Sequence, residues 1–169
     1  RREIEETVDF HYSGEINIRS LIEILTNDIT ADALRARVKK PLEKLKLVCY
    51  YGCALVRPHA VTGLENPENP VMMDKLMTAM GADVRDWSYK TDCCGADLAL
   101  THADLVTKIV GRLADHARET GADALVTSCG LCQANLDMRQ SGPDPLPVFY
   151  FTELMGAAMD LPGRNGWWR

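Results

Sequence analysis

The sequence predicts an α/β fold, a four-stranded parallel sheet flanked by helices and preceded by a helical arm. Three observations carry that expectation. From Leu45 onward, short apolar runs recur at strand length. Helical patterns separate them, and each crossover is too long for a hairpin. The alternation of strand and helix is the signature of right-handed βαβ units around a parallel sheet.

Before that alternation, the first forty or so residues read as a helical lead-in arm. Glu15 or Asn17 opens a helix with Ile18, Leu21, Ile22 and Leu25 on one face, ending near Asn27-Asp28. Thr30 caps a second, short helix with Leu34 and Val38 inward, stopped by Pro41. The apolar face of this arm must cover either the domain that follows or one that precedes it. Leu45–Tyr51 is the first strand. Asn69 then caps a helix with Pro70 at its first position, Met72, Met73, Leu76, Met77 and Met80 along it, and Gly81 as its stop. Asp83–Ser88 is a weaker second strand. A long helix is expected from about Asp97 to Thr120, with Leu98, Leu105, Ile109 and Leu113 at helical spacing. Ala124–Ser128 is the third strand, Ala134–Arg139 a short helix, and Leu146–Phe151 the fourth strand. Thr152 caps a last helix that ends before Leu161-Pro162. The expected organisation is an arm over residues 1–43, an α/β domain over 44–161 and a tail over 162–169.

The bulk properties narrow the function classes. The chain has 169 residues, enough for one domain with a sizeable core, and 46% of them are hydrophobic. Its net charge of −5 is spread among interspersed acids and bases, which gives no footprint for nucleic acid or for an anionic membrane. The apolar runs are far too short to span a bilayer, so no membrane insertion is expected, and no signal peptide opens the chain. The chain starts Arg1-Arg2 and stops at Gly166-Trp167-Trp168-Arg169. Both ends read as cut, and the expectation is a fragment of a longer polypeptide.

The six cysteines carry the functional signal. Cys49 and Cys53 lie in CYYGC, Cys93 and Cys94 in DCCG, and Cys129 and Cys132 in SCGLC. Thirty-nine residues separate Cys53 from Cys93, and thirty-four separate Cys94 from Cys129. The strand map places each group just beyond a strand, and ligands in parallel sheets bind outside the carboxyl ends of the strands. Three groups distant in sequence therefore converge on one sheet edge. A chain without a secretory signal argues against a disulfide framework and for a reducing cytoplasm. A CxxC alone is shared by redox motifs, zinc sites and iron–sulfur sites. The CxxC here sits where a strand passes into a helix, whose N-terminus favours thiolate. Adjacent cysteines are rarer: both reach one centre only if the backbone bends sharply or the centre is extended. Five or six thiols exceed what one zinc ion needs, which favours a multinuclear iron–sulfur group over a structural or regulatory zinc module using four of them.

This arrangement, a lone cysteine, then CCG, then CxxC across a Rossmann-like α/β unit, resembles the cysteine-rich CCG domain family. YYGC followed by Arg57-Pro58, then DCCG, then SCGLCQANLD is similar to the second of the two tandem domains in the B-type subunit of heterodisulfide reductase. The resemblance covers about Pro41 to Met159, and the arm Gly14–Lys40 is similar to the segment linking the two repeats. It implies that Cys53, Cys93, Cys94, Cys129 and Cys132 hold a non-cubane 4Fe-4S cluster. It also implies an oxidoreductase subunit that works with a preceding CCG domain of the same full-length chain, an iron–sulfur electron-donor subunit, and a disulfide or thiol substrate. In that family the two cluster domains face each other across the disulfide, so a single domain is not expected to complete the reaction.

Other residues are weaker candidates. Cys49 falls outside the five-cysteine pattern; its separation from Cys53 allows it to face the same side, and the plainer reading is a small buried strand residue. Arg57 is a candidate contact for an anionic cluster or acidic substrate, with Pro58 fixing the loop. His59 reads as a loop residue near the first cysteine. His102 and His116 are too far apart on the long helix to share a metal, and His11 lies in the arm. The methionines from Met72 to Met80 read as core filler. Trp167-Trp168 reads either as an interface anchor or as a consequence of the cut end. No phosphate-binding GxGxxG, nucleophile elbow or distinctive carboxylate pair is present.

Overall fold

β1 (Lys46–Tyr50) is the pivot of the molecule. It pairs in parallel with β2 (Asp83–Arg85) on one side and β3 (Ala124–Thr127) on the other, and β4 (Val148–Tyr150) pairs in parallel with β3. The order β2-β1-β3-β4 makes the expected all-parallel four-stranded sheet. This computed structural model describes residues 2–63 and 66–162; Trp167 and Trp168 lie outside them.

The central strands are buried on both faces, so the alternation of side chains along β1 divides the core in two. Leu47, Cys49 and Tyr51 face one cluster, with α5 (Met72–Ala79), α8 (Phe151–Ala158), Ala124 and Val126. Val48 and Tyr50 face the other, with α6 (Ala103–Glu119), α7 (Gly130–Met138), Leu125 and Val148. The remaining helices are α1 (Arg2–Val8), α2 (Leu21–Asn27), α3 (Ala31–Arg35) and α4 (His59–Thr62). The arm covers the domain that follows it: α2 and α3 pack on α5, with Ile22 and Leu34 buried in the first cluster. Backbone N–H groups of Lys39 and Lys40 both donate to the Ala158 carbonyl.

Several boundaries differ from the sequence pattern, each for a physical reason. Ser20 caps α2 through its side chain, so the helix starts after Ile18, which is 91% exposed. Thr30 caps α3 as expected. The backbone N–H of Asn69 bonds to the Asn66 side chain in a turn, and Asn69 does not cap α5. That helix begins at Met72 because a tertiary group serves its first turn: the Tyr51 hydroxyl accepts from the N–H groups of Met73 at 2.8 Å and Asp74 at 3.3 Å. The single long helix is broken. Gly95, at φ +78°, turns the chain into one 3-10 turn (Ala96–Leu98), and α6 starts only at Ala103. Leu98 and Leu105 are exposed, and the buried stripe is Val106, Val110, Leu113, Ala114 and Ala117. β2 stops at Arg85 because Trp87 turns inward, where its indole N–H donates to the Cys49 carbonyl at 2.9 Å. α7 begins at Gly130, four residues earlier than expected, and α8 at Phe151, so Thr152 is not its cap. There Glu153 accepts from the Tyr150 N–H at 2.7 Å.

Beneath the first cysteine loop lies a buried ion pair. Lys90, 4% exposed, donates to Asp74 at 2.8 Å and lies 3.2 Å from Asp86. Asp74 also accepts from the Tyr51 hydroxyl at 2.6 Å. Burial works against the ammonium, but the bonds to the two carboxylates outweigh it and raise the Lys90 pKa. Lys90→Ala strands a half-buried carboxylate, and a loss of about 3 kcal/mol in unfolding free energy is expected by urea titration. The double variant Lys90→Met, Asp74→Leu is expected to lose less than the single one.

Candidate metal centre

The chain leaves β1 through Tyr51 and Gly52, whose N–H groups both donate to the Lys90 carbonyl, at 2.8 and 3.1 Å. Gly52 has φ +66°, a backbone state that L side chains rarely adopt. A Cβ there would lie 3.1 Å from the Cys132 sulfur and 3.4 Å from the Tyr50 ring. The glycine thus leaves room for sulfur and turns Cys53 over the end of the sheet. After β2 the chain returns through Trp87 and Lys90 to the vicinal pair, and Gly95 closes that loop. Gly95 donates its N–H to the Cys93 sulfur at 3.3 Å. After β3 the chain passes directly into α7, with Cys129 as the N-cap residue. Its sulfur accepts from the Cys132 N–H at 3.5 Å.

Five cysteines come together at the carboxyl ends of β1, β2 and β3 in a series of pairs. Cys94 and Cys132, both buried, have their sulfurs 3.6 Å apart. Cys129 neighbours Cys132, and Cys53 lies beside Cys93, the one exposed cysteine. None of the six is in a disulfide. Burial, and then the charges of Cys94, Cys132, Cys93 and Cys53, hold the Tyr50 hydroxyl well above its ordinary pKa.

Among the described residues, no three His, Cys, Asp or Glu side chains are gathered closely enough to hold a metal ion as they stand. The vicinal pair is split: Cys93 goes to Cys53 and Cys94 to Cys132. A soft, extended group with more than one metal atom fits this donor set, because neighbouring sulfurs can serve different atoms. The sequence pattern anticipated the convergence; the division into pairs had no sequence signal.

Cys49 stands apart. Its side chain belongs to the opposite core cluster, fully buried. Burial, and then the nearby charge of Asp74, hold its thiol well above the ordinary value. Even spacing from Cys53 does not put the two on one side, because the strand ends at Tyr50 and Gly52 turns the chain. Arg57 pairs with Glu68 at 2.9 Å on the surface. Pro58 precedes α4, and His59, its first residue, is exposed. His102 precedes α6, and its ring meets Thr101. His116 stacks on Tyr89 with ring centroids 4.0 Å apart. Met73, Met77 and Met80 are core, as their pattern indicated.

Sequence reasoning missed Tyr50 and Asn135. Asn135, 6% exposed on α7, donates its side-chain N–H to the Cys94 carbonyl at 2.8 Å. The Tyr50 hydroxyl donates to the Asp92 carbonyl. Their only sequence signal is position: Tyr50 ends the first strand, and Asn135 falls three residues after Cys132.

The close sulfur pair shares its charge unequally. Hydrogen bonding from Cys132 is the largest influence on Cys94 and brings its pKa down to about 6 against the opposing effect of burial. The same contact, followed by burial, pushes Cys132 far up. For Cys53, burial and then Cys93 raise the thiol. The pair therefore holds one proton at neutral pH. Because the folded pKa of Cys94 is depressed, its stabilisation is present above the unfolded thiol value and is lost as pH falls through about 6. Thiolate absorbance of metal-free protein is expected to keep one ionised thiol down to that pH, and to lose it in Cys94→Ser and in Cys132→Ala, which removes the donor.

A family model described as CCG, a cysteine-rich domain, matches residues 47–137. The chain is 30% identical over 161 residues to the B-type subunit of the ferredoxin/F420H2-dependent CoB–CoM heterodisulfide reductase of Methanosarcina acetivorans, covering 90% of this chain and 53% of that one. It is 29% identical over 161 residues to the 8-methylmenaquinol:fumarate reductase membrane anchor subunit of Wolinella succinogenes, covering 91% and 56%. A protein of Archaeoglobus profundus, described as like the B-type subunit of heterodisulfide reductase, is 26% identical over 168 residues, covering 93% and 56%. The chain spans about half the length of these curated relatives. No helix among the described residues is long and apolar enough to cross a membrane.

Proposed function

Since the chain belongs to the cysteine-rich CCG domain family, we propose that it is a cluster-binding domain of an oxidoreductase subunit, with Cys53, Cys93, Cys94, Cys129 and Cys132 as ligands of a non-cubane 4Fe-4S group. The observation that carries the reading is the split vicinal pair, whose two sulfurs go to different partners. When bound, such a group supplies electrons one at a time to a disulfide, whose cleavage to two thiols takes two electrons and two protons. The chain's own residues would bind and shape it. Buried Cys94 and Cys132 would hold it from the protein side, and exposed Cys93 would hold it where a substrate or partner can approach. Backbone N–H groups of Gly95 and Cys132 donate to sulfur, an arrangement that tunes reduction potential in thiolate clusters.

Relatives named as reductase subunits support partner subunits in general; the partners proposed for this chain are a preceding CCG domain of a longer polypeptide, an iron–sulfur electron donor, and a disulfide or thiol substrate. The isolated domain is then a metal-binding unit without complete turnover. The setting proposed for it is a reducing cytoplasm, where thiols stay available as metal ligands.

Anaerobic reconstitution with iron and sulfide tests the ligand set. The wild-type chain is expected to turn brown, with several irons per chain and sulfur-to-iron absorption in the visible. Cys93→Ser and Cys94→Ser are each expected to lose most of that iron, and Cys49→Ser to keep it. Normal iron in both vicinal variants would reject the ligand assignment, and a colourless chain with one zinc would favour a zinc module.

A further inference from the structure

Adjacent side chains on an extended backbone point to opposite sides, so a vicinal pair divides of itself, and which partner each sulfur meets is set by how the peptide groups that carry them are held. From Lys90 to Cys94, every second carbonyl is held by a donor from another cysteine-bearing segment. The Lys90 carbonyl receives the N–H groups of Tyr51 and Gly52, just before Cys53. The Asp92 carbonyl receives the Tyr50 hydroxyl, from the end of β1. The Cys94 carbonyl receives the Asn135 amide, from the helix that carries Cys132.

Asn135 adds a second argument. Its side-chain oxygen is buried without a hydrogen-bond partner. An unpaired buried acceptor is costly, and leucine would fill a similar volume without it. Packing therefore does not account for an amide here, whereas its donor side does.

We infer that Tyr50 and Asn135 are positioning residues, a two-sided clamp on the Asp92–Cys94 backbone that sends Cys93 toward Cys53 and Cys94 toward Cys132 before any metal arrives. The clamp is a property of the polypeptide; its service to a cluster rests on the function proposed above. Each donor joins the vicinal loop to one of the other two motifs, so the three groups are set relative to one another in the metal-free chain.

The test uses the metal-free 169-residue chain and the bifunctional thiol reagent dibromobimane, with bridged peptides mapped by mass spectrometry. Wild type is expected to give the Cys94–Cys132 bridge as its main product. Tyr50→Phe and Asn135→Leu are each expected to lower that bridge about threefold to tenfold, the effect of one lost hydrogen bond, with a cooperative thermal transition retained. Bridge yields equal to wild type in both folded variants would overturn the clamp. If Asn135→Leu does not fold, Asn135→Met, which is close in volume and has no N–H or O–H to donate, decides in its place, and an unchanged yield there overturns the inference equally. Iron uptake on the same variants separates the two claims. Uptake equal to wild type in both would overturn the clamp's service to the metal, and failure of wild type itself to take up iron would strike the cluster reading alone.

Discussion

The pairing of β1 with a parallel neighbour on each side is the constraint on which the rest depends. Parallel register puts the carboxyl ends of β2, β1 and β3 at one edge, so three loops far apart in sequence emerge side by side. Chain entropy opposes gathering five thiols, and the sheet meets that cost once, with apolar burial on both of its faces. The loops then add only local turns: Gly52 after β1, Gly95 after the vicinal pair, and the start of α7 after Cys129.

The same strand explains which cysteine is excluded. Side chains of β1 alternate between two core clusters, and Cys49 falls with Leu47 and Tyr51 while Tyr50 falls with Cys94 and Cys132. Cys49 sits on the side of Asp74, below the sheet edge that carries the other five. The two consecutive tyrosines divide the labour accordingly. Tyr51 caps α5 and binds Asp74 on one face; Tyr50 reaches into the sulfur set on the other.

Much of this was legible in the sequence because it rests on local pattern. The four strands, their parallel arrangement and the convergence of the cysteine loops follow from apolar runs and crossover lengths. What escaped was set by tertiary contact. Asn69 and Pro70 look like a helix start, yet α5 is capped by a hydroxyl more than twenty residues upstream. Leu98 and Leu105 continue a helical stripe, yet Gly95 and the 3-10 turn break it and leave both exposed. Within the site, the motif named the thiols but not their pairing, because a string of cysteines does not show which backbone carbonyls their neighbours Tyr50 and Asn135 hold.

The central claim is that five thiols, divided as they are, serve one group of several metal atoms. X-ray absorption at the iron edge of the anaerobically reconstituted chain tests it most directly. The account predicts sulfur-only ligation with a clear iron–iron scattering path. A metal site with sulfur ligands but no metal–metal path, whether the metal is iron or zinc, would contradict it.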